Sequence, residues 1–174
     1  YAPGDIVEKD WNETILLDEG FTAFTTTARH FSGRGLSRCN TLWLSYVLQT
    51  PTLKIFIGGD SGYDTHFAET GHKYGPFDLV ILENGQYNEK WKYIHLLPDD
   101  VLKAANDLRA KRLLPVHSSK FALANHPWDE PLIRLSELNT YLQTPVPLVT
   151  PMIGESVLLK DETQSFKQWW LNVK

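Results

Sequence analysis

A chain of 174 residues, 42% of them hydrophobic, carries enough apolar material for one domain with its own core. Seventeen basic against twenty-one acidic side chains give a net charge of −4, the wrong balance for a general nucleic-acid binder, so no nucleic-acid partner is expected. Cys39 is the only cysteine, which excludes an intramolecular disulfide and a four-cysteine zinc knuckle, and no apolar run approaches the roughly 20 residues of a bilayer-spanning helix.

Apolar runs bounded by turn residues predict the elements in chain order. Residues 14–17 and 21–27 are β-branched and aromatic and flank Asp18-Glu19-Gly20, which predicts a hairpin. Residues 41–48 and 53–57 flank Gln49-Thr50-Pro51-Thr52 and predict a second strand pair. A weaker helix, interrupted by Gly71, is expected over 65–74. Residues 78–82 and 112–116 are near-continuous apolar runs, as strands buried on both faces should be. Between them, Pro98-Asp99-Asp100 makes a helical first turn, with Val101, Leu102, Ala105 and Leu108 following at helical spacing. Residues 132–142 predict another helix. Phe166, Trp169, Trp170 and Leu171 predict a closing amphipathic helix docked on the body. The expected class is mixed α/β in a single domain over 1–174.

Residues of the metal-ligand type stand just after three of the apolar runs. His30 follows 21–27, Asp60 follows 53–57 through Gly58-Gly59, and His117 follows 112–116. Sites in α/β sheets form at the carboxyl ends of strands, and two imidazoles with a carboxylate suit Zn²⁺. Each residue also has an ordinary explanation: a histidine after a strand is commonly just hydrogen-bonded, and an aspartate before Ser-Gly is commonly a turn residue. Gly59-Asp60-Ser61-Gly62 also mimics the nucleophile motif of chymotrypsin-like proteases. The continuation Tyr63-Asp64 and the short spacing from His30 speak against that reading.

Longer stretches are more specific. Thr27-Ala28-Arg29-His30-Phe31-Ser32-Gly33-Arg34, Gly59-Asp60-Ser61-Gly62-Tyr63 and Lys73-Tyr74-Gly75-Pro76-Phe77-Asp78-Leu79 occur in that order. Gly85-Gln86-Tyr87, Trp91, Ile94-His95 before Pro98-Asp99-Asp100, and Pro115-Val116-His117 follow. Lys120-Phe121-Ala122-Leu123-Ala124 and His126-Pro127-Trp128 complete the series. Together they resemble the metallo-β-lactamase superfamily, in the branch of N-acyl-phosphatidylethanolamine-hydrolysing phospholipase D and RomA-like proteins. The resemblance implies an αββα sandwich with two metals, usually zinc, in a cleft at one edge. It implies that His30 and His117 each ligate one ion, that Asp60 bridges both, and that His95 is a catalytic residue near the cleft. Tyr87 and Trp91 are expected to line the cleft.

Two departures from the family pattern stand out. Relatives often read His-Trp-Gly where this chain has His117-Ser118-Ser119. The opening His-x-His-x-Asp-His cluster is absent from these residues, and His66 and His72 lack its spacing. With Tyr1 as the first residue, the chain is expected to be the C-terminal half of the sandwich, with a mixed sheet and helices on one side. The implied function is a metal-dependent hydrolase in its full-length form, with metal-activated water attacking a phosphodiester or related ester or amide. The alternative is a non-catalytic fragment or binding module. The isolated chain is expected to be inactive. Its apolar face should pair with another copy or with the missing N-terminal half, and its substrate should be a small or lipid-like phosphodiester. The lone cysteine suits the cytoplasm, and a lipid-like substrate would add peripheral membrane contact.

Overall fold

In the computed structural model, which describes residues 6–33, 36–121 and 123–173, the opening hairpin forms as β1 (Thr14–Leu16) and β2 (Thr22–Thr27). Tyr1, and Arg34 and Ala122 of the motifs above, lie outside the described residues. The chain reverses through a 3₁₀ turn over Asp18–Gly20, where Gly20 takes a φ of 79° that glycine adopts without steric cost. The second pair forms as β3 (Leu44–Gln49) and β4 (Lys54–Ile57). The Thr50 hydroxyl oxygen closes their turn by accepting the Thr52 and Leu53 N–H groups.

Beyond β4 the chain alternates. Helix α1 (His66–Tyr74) leads to β5 (Leu79–Glu83), and α2 (Pro98–Asp107) leads to β6 (Leu113–Val116). Helix α3 (Glu130–Thr140) follows. One six-stranded sheet runs in sequence order; β1 to β4 pair antiparallel, and β4, β5 and β6 pair parallel.

All three helices contribute to one core on one face of the sheet. Val47, Phe56, Val80, Leu82 and Leu113 come from the strands, Phe67 from α1, Val101, Leu102, Ala104 and Ala105 from α2 and Leu135 from α3. The two-residue alternation of a strand sends Ile55 and Leu79 to the opposite face. There they meet Val149, Val157 and Phe166 of the C-terminal segment. Arg112, buried at the start of β6, anchors that segment by donating to the carbonyls of Leu158, Leu159 and Asp161. The cover is partial. Tyr46 and Ile57, paired across β3 and β4, remain 38% and 37% exposed, and Val116 of β6 37%.

The closing amphipathic helix does not form. Its residues contain only a 3₁₀ turn over Trp169–Asn172. Phe166 packs on the second sheet face while Trp170 is buried elsewhere, beside α3. Serving both places requires an extended run between them, and one turn is too short to propagate as an α-helix.

Candidate metal centre

The sheet's own directions assemble the site. Strand β2 is antiparallel to β3, and β3 to β4, so β2 runs the same way as β4, β5 and β6. The carboxyl ends of four strands therefore share one edge. His30 follows β2, Asp60 follows β4, Glu83 ends β5 and His117 follows β6. His95 enters from the loop before α2. Three residues with positive φ shape this edge. Gly59 has a φ of 63°, turning the chain to present Asp60. His117 and Ser119 hold φ values of 67° and 70°, which cost non-glycine residues about 1–3 kcal/mol each and concentrate at functional sites.

Four half-buried side chains meet there. His117 Nε2 lies 3.6 Å from Asp60 Oδ2. One ligand atom each from His30, Asp60 and His95 fall within 4.8 Å of one another, as do atoms of Glu83, His95 and His117. The His95 ring sits between its neighbours, 5.2 Å from the His30 centroid and 5.9 Å from that of His117. His30 donates from Nδ1 to its neighbour's carbonyl, Phe31 O, at 2.8 Å, which leaves Nε2 as its free ligand atom. Two ligands roughly 2.1 Å from one ion at tetrahedral angles stand about 3.4 Å apart, so the Asp60–His117 separation is close to that of a ligand pair. Imidazole nitrogens with a carboxylate oxygen are also the donor chemistry that zinc and similar ions accept.

The two aromatic candidates separate. Trp91 borders the cluster, its ring 6.3 Å from His95. Tyr87 lies outside it, donating to Glu130 at 2.7 Å and stacking on His126 in another hollow. Burial and Glu130 push the Tyr87 hydroxyl well above its ordinary pKa.

Glu83 is the member of this cluster that sequence reasoning missed. It is 1% exposed, and its carboxylate accepts the Ser61 N–H at 2.8 Å and His95 Nδ1–H at 2.6 Å. Burial raises its carboxyl pKa against the pull of His95 and of the Ser61 N–H. Burial would lower His95, but the hydrogen bond and charge of Glu83 outweigh it and hold the imidazole above the usual histidine range. The available signal was a carboxylate ending an otherwise apolar buried strand, since such groups are rarely buried unpaired.

Behind Asp60, the Ser61 hydroxyl oxygen accepts the Arg29 N–H at 2.9 Å and stands 3.2 Å from His66 Nε2. One serine thus ties the His30 and Asp60 arms together. Burial lowers the His66 pKa, so the fold favours the neutral imidazole. Its contribution to stability is complete above the unfolded value of about 6.5 and is lost as pH falls from there through the folded pKa. Thermal midpoints should therefore drop on acidification through that window. The drop should be smaller in His66→Asn; an equal drop in both proteins would contradict this assignment.

A mixed sheet with helices on one face and a histidine–carboxylate cluster at its edge is an arrangement suited to a metal-binding protein. The chain belongs to the β-lactamase superfamily: residues 3–118 match the beta-lactamase superfamily domain. It is 54% identical over 106 residues to the outer membrane protein RomA of Klebsiella pneumoniae, covering 61% of this chain and 80% of that protein. It is 34% identical over 145 residues to the mitochondrial N-acyl-phosphatidylethanolamine-hydrolyzing phospholipase D of Saccharomyces cerevisiae, covering 77% of this chain and 31% of the yeast enzyme. The fold matches that of an isothiocyanate hydrolase from Delia radicum gut bacteria with a TM-score of 0.62 at 17% identity, covering 84% of this chain and 56% of the hydrolase. The chain therefore spans little more than half of that hydrolase and about a third of the yeast enzyme. A metallo-hydrolase fold implies metal ions. Among the described residues, no helix is long and apolar enough to cross a membrane.

Proposed function

We propose that this chain is the C-terminal half of a zinc-dependent hydrolase acting on a phosphodiester or a related ester or amide. The observation that carries the reading is the position of Asp60, whose carboxylate lies 3.6 Å from His117 Nε2 and within 4.8 Å of ligand atoms of His30 and His95. His30 and His117 would each hold one of two ions, and Asp60 would touch both. Bound metal supplies Lewis acidity and a water of lowered pKa. His95 faces the same space and orients the substrate or carries a proton there. The printed activity of the yeast relative, on a phospholipid diester, supports the phosphodiester class of substrate. A cytoplasmic setting with peripheral membrane contact belongs to the same reading.

In this reading the remaining ligands come from an N-terminal half carrying His-x-His-x-Asp-His. The exposed row of Tyr46, Ile57 and Val116 would receive its sheet, since packed sheets bury such faces roughly 10 Å apart. Alone, the 174-residue chain should hold one weak zinc site, show no turnover, and associate through that row with a second copy. Calorimetric zinc titration tests the centre. Asp60→Asn should weaken uptake at least about tenfold. In the complete enzyme, His95→Gln should lower turnover with bound zinc unchanged. A chain that takes up no zinc, or whose uptake ignores Asp60, would overturn the reading. Light scattering checks the second face: a monodisperse monomer would remove the case for pairing there.

A further inference from the structure

Glu83 sits at the junction of two loops that carry the site. Its backbone is fixed by the β5–β6 ladder opposite Val116, and the next residue, Asn84, donates its N–H to the Val116 carbonyl at 2.8 Å. From that rigid base the side chain reaches across both loops. Oε1 accepts the Ser61 N–H, one residue beyond Asp60, at 2.8 Å, and the Leu96 N–H, one residue beyond His95, at 3.4 Å. Oε2 takes His95 Nδ1 at 2.6 Å.

At a pH where Glu83 is ionised its carboxylate has only lone pairs to offer, so Nδ1 carries the proton in this contact. The other ring nitrogen, Nε2, is left with its lone pair. It belongs to a ring placed between His30 and His117. A neutral imidazole held this way leaves an acceptor at Nε2. In the opposite tautomer it would present a donor there instead.

We infer that Glu83 is the positioning residue of this site, fixing His95 in the Nδ1–H tautomer with Nε2 turned toward the cluster and locking its loop to that of Asp60. The inference rests on the reading of His95 as a group facing the reacting atoms. A purely structural carboxylate, present only to satisfy the Ser61 and Leu96 N–H groups, would have no effect on which His95 nitrogen is protonated. That difference makes the two roles separable.

The test is long-range ¹H–¹⁵N NMR on the 174-residue chain with ¹⁵N-labelled histidine, at a pH alkaline enough to leave the His95 ring a single proton. His95 is assigned by the signals lost in His95→Gln. In Glu83→Gln the amide oxygen can keep the Ser61 N–H, which turns the NH₂ group toward His95 Nδ1 and makes that nitrogen an acceptor. The expected result is Nδ1–H in the unsubstituted protein and a shift of the proton to Nε2 in Glu83→Gln. The same tautomer in both proteins, or Nε2–H in the unsubstituted chain, would overturn the inference. Should Glu83→Gln fail to fold, the unsubstituted spectrum alone decides, by the position of the one proton. Zinc titration separates this inference from the functional reading. Absence of zinc uptake would sink the latter and leave the tautomer result untouched.

Discussion

Replacing Gly71 with alanine is expected to destabilise the domain by at least about 3 kcal/mol, read as a lower urea midpoint with a largely unchanged slope. In an exposed helix this change would help, because alanine is favoured over glycine by roughly 1 kcal/mol. Here the new Cβ would stand 2.0 Å from the Asp107 carbonyl oxygen and 2.8 Å from the Leu108 Cα. Both are backbone atoms at the end of α2, so no side chain can swing aside. The only relief is for α1 to move away from α2. That would pull Phe67 from its place beside Phe56 and strain the Arg109 guanidinium, which donates to the carbonyls of Gly71 and Gly75. Domains of this size are stable by only about 5–15 kcal/mol in total, so the loss should be plain at room temperature. A midpoint equal to or above that of the unsubstituted protein would mean that the helices do not cross this closely.

Gly71 also shows where the sequence was informative and where it misled. Read along the chain, it weakens the helix over 65–74; in the fold it is the point at which two helix backbones touch. Period and propensity describe one segment at a time, and the reason for this glycine lies on another segment. Strands β5 and β6 were legible because they are near-continuous apolar runs without polar alternation. The start of α2 was legible because Pro98, Asp99 and Asp100 complete a first turn whatever packs above it. The C-terminal aromatics were misread. Phe166 and Trp170 fill two different places, and helical spacing over four residues cannot reveal that.

The same division runs through the site. His30, Asp60 and His117 could be picked out because each stands where an apolar strand ends, and common strand direction then brings the ends to one edge. His95 precedes a helix, not a strand end, and only the resemblance pointed to it. Glu83 closes an apolar run as one more charged residue. Its partners, Ser61 and His95, are 22 and 12 residues away, a relation no local pattern encodes. Tyr87 was chosen as a cleft aromatic from its place in the motif series, whereas its hydroxyl is committed to Glu130.

Gly62→Ala should damage the site more selectively than Gly71→Ala damages the fold. Gly62 is buried where the Asp60 loop crosses the loop leading to His95, and its N–H donates to the Arg29 carbonyl at 2.8 Å. An added Cβ would lie 2.3 Å from the Tyr93 carbonyl carbon, 2.4 Å from its oxygen and 2.8 Å from the Ile94 nitrogen. All three atoms are backbone, so the two loops must part by about an ångström to restore ordinary contact. That movement opens the junction spanned by Glu83, whose hydrogen bonds to Ser61 and His95 lie on opposite sides of it. The shift also drags on Arg29, next to His30. Asp60 and His30 should then lose their common focus, and zinc uptake should fall by more than about tenfold. The stability cost should be in the range of about 1–3 kcal/mol for overpacking, because the main helical core is not involved. Paired zinc titration and urea denaturation would check both halves of this expectation. Unchanged zinc affinity in a folded Gly62→Ala protein would show that ligand placement does not depend on this crossing, and that Asp60 and His95 are held independently.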